Sequence, residues 1–226
     1  MENTARTQKR GKKIVLGVLA AVLALLLVLA IAIFALWHNE LLSMASIKLL
    51  RERDDSHMDG AVYIMDVKGG FFLDEFVAQG GASSDAELIS FITGSITRGL
   101  IPMSISESEI ACSSFTAETP EGDRLFARNY DFSKTNTCIV RTQANEGRHA
   151  SISTVDLQFL GLDVEKNVEG LANRITCLAA PYIPLDGIND AGVACGIYMT
   201  YQGGDAVPTD QQTDRPDITP PSGRRT

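Results

Sequence analysis

The chain has 226 residues, 45% of them hydrophobic, with 20 Lys and Arg against 28 Asp and Glu and a formal net charge of −8. That balance excludes a polyanion-binding role and with it a nucleic-acid partner, because neutralising a phosphate backbone takes clustered Lys and Arg. After residue 54 the only adjacent basic pair is Arg224-Arg225. The length leaves room for one medium-sized domain behind the N-terminal segment, at about 100–200 residues per domain.

Arg6, Lys9, Arg10, Lys12 and Lys13 make residues 1–13 a basic segment ahead of an uncharged run from Ile14 to Trp37. A helix over 14–37 is about 36 Å long at ~1.5 Å per residue, more than a hydrocarbon core of roughly 30 Å. Basic residues on its N-terminal side keep that side cytoplasmic. The run therefore predicts a single-pass transmembrane helix with everything after it extracytoplasmic. A cleaved signal peptide is the alternative, with Ala30-Ile31-Ala32 as its cleavage sequence; its apolar region is ordinarily shorter, about 7–15 residues.

Residues 38–60 are polar and mixed and read as a juxtamembrane stalk. Ala61 to Val67 reads as a strand, Lys68-Gly69-Gly70 as a turn, and Phe71-Phe72-Leu73 as the strand's continuation. Ser84-Asp85-Ala86-Glu87 is a capping-box pattern. It opens an amphipathic helix with apolar positions Leu88, Ile89, Ile92, Ile96 and Leu100, and Gly99 near its end. All of this is ordinary packing, with no catalytic role before residue 111.

From Ile110 the pattern changes to short strands. Ile110 to Ala117 and Arg124 to Tyr130 flank Glu118 to Asp123, whose Pro120 and Gly122 suit a tight connection, so a β-hairpin is predicted. Further strands are expected at Cys138 to Thr142, His149 to Ser153 and Val193 to Met199, with Gly187 and Gly192 bracketing a turn. Residues 203–226 hold Val207 and Ile218 as their only aliphatics larger than alanine. Such a tail buries too little surface to offset its ordering entropy, and disorder is expected.

The cysteines are Cys112, Cys138, Cys177 and Cys195. An even count in an exported chain is the pattern of disulfides. The spacing is loose, however, and free thiols are the expectation. His38, His57 and His149 are scattered without metal-ligand spacing, so neither a metal nor another cofactor is expected. A cysteine on a strand is ordinarily a small buried hydrophobe. At Cys112 the returning strand weighs against that, because it brings back Arg128, Asn129 and Asp131. Two charges and an amide are costly in a strand unless they are paired or serve a site.

Three blocks then carry a family resemblance. They are Cys112-Ser-Ser-Phe; Gly122-Asp-Arg-Leu-Phe-Ala-Arg128-Asn129-Tyr-Asp131-Phe; and Pro184-Leu-Asp186-Gly187-Ile-Asn189-Asp190-Ala-Gly192-Val. In this order the chain resembles, over roughly residues 110–202, the choloylglycine hydrolase and penicillin V acylase group. These are linear-amide hydrolases of the N-terminal-nucleophile superfamily. The resemblance implies an α+β fold: an N-terminal transmembrane helix, then a partial αββα sandwich. Residues 38–111 would be a prosegment, and 112–202 the N-terminal part of the hydrolase domain.

The resemblance also implies chemistry. The Ala111–Cys112 peptide bond would be cut autocatalytically, freeing Cys112 to act as both nucleophile and base. An α-amino group titrates near ~7.7–8 and can take the thiol proton. Asp131 would hold that amino group and Arg128 would favour the thiolate. The substrate would be a small-molecule N-acyl amide. Asn189 lies in a block that reads equally as a turn or as part of an oxyanion site. Met199 stands where the bile-salt branch has an oxyanion asparagine, and it offers only a backbone N–H. That points away from bile salts.

Family domains continue well beyond the third block, so a truncated or frame-shifted C-terminus is expected. An inert anchored fragment is the alternative to an active enzyme. A papain-like pairing of Cys112 with His149 is a further alternative. Oligomeric state is not legible.

Overall fold

In a computed structural model of the chain, residues 2–54, 56, 60–105, 111–132, 135–145 and 147–198 are described. The chain divides into two compact units, residues 1–41 and 42–226. The first is the greater part of α1 (Glu2–Ser46). Its apolar stretch reaches a mean hydropathy of 3.3 and is exposed along its length, long and apolar enough to cross a membrane. The helix departs from helical geometry at Trp37 (φ −128°, ψ 25°), where the uncharged run ends.

The second unit corrects the expected stalk. Helix α1 continues to Ser46 and is followed by strand β1 (Lys48–Arg51). Ser43, Met44 and Ile47 are buried. The Ser43 hydroxyl accepts from Lys68 N–H (2.8 Å) and that of Ser46 from Asp66 N–H (2.9 Å). These serines fasten the segment to the end of β2 (Val62–Asp66). Two of the polar residues that suggested a stalk, Ser43 and Ser46, are thus tied into the second unit.

A six-stranded sheet has the order β1-β2-β5-β6-β7-β8, formed with β5 (Thr137–Thr142), β6 (Ser151–Asp156), β7 (Asp186–Asn189) and β8 (Ala194–Gly196). Only the β2–β5 pair is parallel. Alternation decides the faces. Tyr63 and Met65 of β2, Cys138 and Val140 of β5, and Ser153 and Val155 of β6 are buried in register. The opposite face carries Ile64, Ile139, Thr154 and Asp186 and is only half-buried.

Between β2 and β5 the chain inserts α2 (Leu73–Ala78), α3 (Asp85–Thr97) and a separate hairpin, β3 (Ala111–Glu118) with β4 (Arg124–Asp131). Phe71 to Leu73 does not continue β2. Phe71 and Phe72 turn the chain in left-handed conformations (φ 39° and 56°), and Leu73 opens α2. The reason is tertiary: Phe71 and Phe76 both pack against Tyr182, whose hydroxyl donates to the Phe71 carbonyl.

The capping box on α3 forms as expected. The Ser84 hydroxyl accepts from Glu87 N–H (3.3 Å) while Glu87 reaches back to Ser83 N–H (2.7 Å). Leu88, Ile92 and Ile96 are buried. Leu100 lies beyond the helix end at Arg98 and is exposed. Strand β7 and helix α4 (Leu171–Cys177) were not expected; the first fell in what read as a turn block.

Gly60 precedes β2 where that strand meets the chain entering β5. A Cβ there would sit 1.9 Å from the Thr135 carbonyl oxygen, backbone that has nowhere to yield. Gly60→Ala is expected to destabilise the fold by about 1–3 kcal/mol, read as a lower denaturant midpoint. An unchanged midpoint would show that the two segments are not in this close approach.

Candidate functional site

The site is assembled by two strands whose side chains face a second sheet. Opposed residues of an antiparallel pair share a face. In the hairpin, Cys112 opposes Tyr130 and Ser114 opposes Arg128, so all four project to one side. In the large sheet, Thr154 and Asp156 share a face of β6, and Asp186 of β7 opposes Thr154. The two faces engage at two matched points. Arg128 Nη1 donates to Asp186 Oδ2 (3.0 Å), and Tyr130 donates its hydroxyl to Asp156 Oδ2 (3.1 Å). Both donors and both β6 positions are spaced by two residues, one pleat repeat, which is why both pairs form at once.

Cys112 is diagonal to Arg128 across the hairpin. Such diagonal neighbours lie roughly 7–8 Å apart, within reach of a long side chain. Arg128 Nη2 donates to Cys112 Sγ (2.8 Å) and to the Ile197 carbonyl (2.7 Å). The guanidinium also lies 5.4 Å from the Tyr130 ring and 5.6 Å from that of Tyr198. The Arg128 side chain is 2% exposed, against 20% for Asp186. Asp186 Oδ1 accepts from the Thr154 hydroxyl (2.6 Å), so its second oxygen is occupied as well. Gly196 leaves the room this needs: a Cβ there would lie 3.2 Å from Arg128 Cδ.

Two groups lie alongside, Asp156 and Tyr130. Burial raises the Asp156 carboxyl above its usual range, against hydrogen bonds from Gln158, Asn136 and Tyr130 that lower it. Burial, and then the Asp156 carboxylate, push the Tyr130 phenol well up. Tyr130 therefore keeps its proton and donates it.

The expected site residues divide. Cys112 and Arg128 are brought together. Asp131 is on the other face of the hairpin: it opposes Ala111, is exposed, and accepts from Asn129 Nδ2. Its carboxylate belongs beside the Ala111 end of the bond in question and not beside the thiol. Asn189 is three residues along β7 from Asp186 and so points to the opposite face. It is buried, with Oδ1 accepting from Ala191 N–H (3.1 Å) and Val193 N–H (2.9 Å). This is the turn role, and Asn189 does not join Cys112. Met199 and the tail 203–226 lie outside the described residues.

His149 pairs through Nδ1 with Asp190. Asp190 is four residues from Asp186, about 13 Å at ~3.3 Å per residue. The papain-like pairing with Cys112 is therefore not formed. Sequence reasoning missed Tyr130, Thr154, Asp156 and the role of Asp186. Tyr130 stood in an expected strand, Thr154 and Asp156 just past the end of another, and Asp186 in a block that reads as a turn.

All four cysteines are free thiols. Burial pushes Cys138 from an ordinary 9.0 up to about 12 and raises Cys177 further, with Cys138 as its neighbour. The sign for stability follows from linkage. Below pH 9 both states hold the Cys138 proton. Above it the unfolded chain releases the proton first, so stability falls with pH until the folded thiol ionises near 12. A denaturant midpoint lower at pH 10.5 than at pH 8, with a smaller drop in Cys138→Ala, is the expected result. An equal drop in that variant would assign the effect elsewhere.

The fold and the helix together define a mixed α+β chain with an N-terminal apolar helix long enough to span a membrane. Compared with known proteins, the chain matches no family, no curated protein and no solved structure.

Proposed function

We propose that this chain is a membrane-anchored, self-processing cysteine amidase of the N-terminal-nucleophile kind, acting on linear N-acyl amides. Helix α1 is its anchor and the part from Cys112 onward is extracytoplasmic. The resemblance of the three sequence blocks to the choloylglycine hydrolase group motivates the reading. The observation that carries it is the desolvated Arg128 guanidinium set 2.8 Å from Cys112 Sγ and locked there by Asp186. A structural cysteine has no use for a buried cation, which is costly to desolvate.

The chemistry runs in two stages. In maturation, Cys112 Sγ attacks the Ala111 carbonyl carbon and the Ala111–Cys112 C–N bond breaks. The nitrogen takes a proton and becomes the free α-amine; water then hydrolyses the Ala111 thioester to a carboxylate and regenerates the thiol. In turnover, the α-amine takes the thiol proton as sulfur attacks the substrate carbonyl. That proton passes to the leaving amine, and water hydrolyses the acyl-thioester. Asp131, which pairs with Ala111 in the hairpin, would take the new ammonium group.

Intact-mass analysis of the full chain in detergent, beside Cys112→Ala, tests this. A wild-type fragment beginning at Cys112 and absent from the variant is expected. A wild type that stays whole while Cys112 remains reactive to alkylation would sink the self-processing reading.

A further inference from the structure

We infer that Tyr130, tethered through its hydroxyl to buried Asp156, is the positioning residue that sets Arg128 against the Cys112 thiol. The inference deepens the proposed function and rests on it for its catalytic meaning, though its geometry stands independently.

Among the described residues the hairpin has no strand partner in the large sheet, and β3 and β4 pair with each other. Its site face is held to that sheet by side chains. One fastening, Arg128 to Asp186, belongs to the reactive group itself. A guanidinium on a long stem keeps much rotamer freedom unless its surroundings remove it. Tyr130 supplies the surroundings. It opposes Cys112 directly, so the two side chains project to the same side of the hairpin. The Arg128 guanidinium lies 5.4 Å from the centre of that ring, within the range of a cation–π contact.

The ring is in turn fixed at its far end. Asp156 is 2% exposed, and its Oδ1 is already taken by Asn136 N–H (3.2 Å) and Gln158 N–H (3.1 Å). Oδ2 accepts from Tyr130 and from Gln158 Nε2 (3.2 Å). A carboxylate saturated in this way does not swing. It transmits the position of β6 through the phenol to the guanidinium, and from there to the sulfur. The order Asp156, Tyr130, Arg128, Cys112 is thus a chain of contacts from the core to the thiol. Removing the hydroxyl leaves the ring free to tilt, and the guanidinium loses one of its supports.

The test measures iodoacetamide labelling of each cysteine in the full chain in detergent, by peptide mass. For Cys112, labelling is read separately on the peptide that still carries Ala111 and on the peptide that begins at Cys112, so that maturation does not confound it. In Tyr130→Phe, labelling of Cys112 at pH 7 is expected to slow severalfold, because the guanidinium is no longer held 2.8 Å from the sulfur. Cys195 is expected to label at an unchanged rate. Arg128→Gln should slow Cys112 comparably, and the double variant no further, because both act through one contact. A simple loosening of the hairpin would move Cys112 in the opposite direction, toward faster labelling.

An unchanged Cys112 rate in Tyr130→Phe, or full additivity with Arg128→Gln, would overturn the inference. If Tyr130→Phe opens the core, seen as labelling of buried Cys138 and Cys177, then Asp156→Asn is read in its place against the same expectations. The two claims fail separately. An uncleaved wild type with the labelling order intact removes the amidase reading and leaves the positioning. A cleaved wild type with Tyr130→Phe unchanged does the reverse.

Discussion

Asp186→Ala is expected to lower the stability of the fold by about 3 kcal/mol, the lower end of the range for leaving a buried charge without its partner. The Arg128 guanidinium is 2% exposed, so without its partner it must be compensated elsewhere or expelled to water. Asp186 is 20% exposed, and water will recover part of the loss, which is why the lower end applies. The loss of the Thr154 hydroxyl's acceptor adds to the same variant. Urea midpoints of the detergent-solubilised chain measure the effect.

The diagnostic comparison is the double variant Arg128→Met with Asp186→Ala. Replacing both partners with apolar groups is often near neutral, so the double variant should be more stable than Asp186→Ala alone. The same double variant should lose any cleavage at Cys112, since the thiol then has no cation beside it. A double variant less stable than both singles would mean that Arg128 holds the hairpin mainly through its contacts with Ile197 and the two tyrosine rings.

The second large effect concerns the helix. Leu25→Arg with Leu26→Arg places two charges near the middle of the uncharged run. Each costs roughly 2.5–3.5 kcal/mol at the centre of a bilayer, so insertion should weaken by about 5–7 kcal/mol. Both leucines are exposed on α1, so within the chain itself the change disturbs no packing. The wild type is expected in the carbonate-washed membrane pellet and the variant outside it. A wild type already in the supernatant would rule out the anchor. A mature N-terminus shortly after Ala32 would assign the run to a cleaved signal instead.

The order of these two results bears on function. An anchored chain that cleaves at Cys112 separates its reactive part covalently from α1. Whether the parts then stay associated is read from the same pellet, by asking which of them carries the Cys112 peptide.

The elements legible in the sequence were those set by local physics. The uncharged run from Ile14 to Trp37 declared a helix by composition, and the one break in its geometry falls at Trp37. Ser84 and Glu87 declared the start of α3 because a capping box satisfies its own N–H groups. Gly122, at φ 90°, marked the hairpin connection, and β3 and β4 formed within a residue of the expected limits. The hairpin's connection made it legible that Arg128, Asn129 and Asp131 return beside Cys112, and the family resemblance implied which of them meets the thiol. Where Phe71-Phe72-Leu73 was misread, the local β-propensity of two phenylalanines was real, but packing against Tyr182, over a hundred residues away, overrode it.

What only the tertiary structure decided is which face each strand presents and what meets it. Asp131 pairs one position from Cys112 in the hairpin and Arg128 two, yet the pleat sends the nearer outward and the farther to the thiol. Asp186 and Asn189 belong to one short block, yet alternation gives the first to the site and the second to a turn. Asp156 and Tyr130 come from strands with no sequence mark that they would meet. A period of two is visible in a sequence, but its phase relative to another sheet is fixed by long-range packing. For this chain that packing makes an ordinary strand cysteine the neighbour of a buried guanidinium.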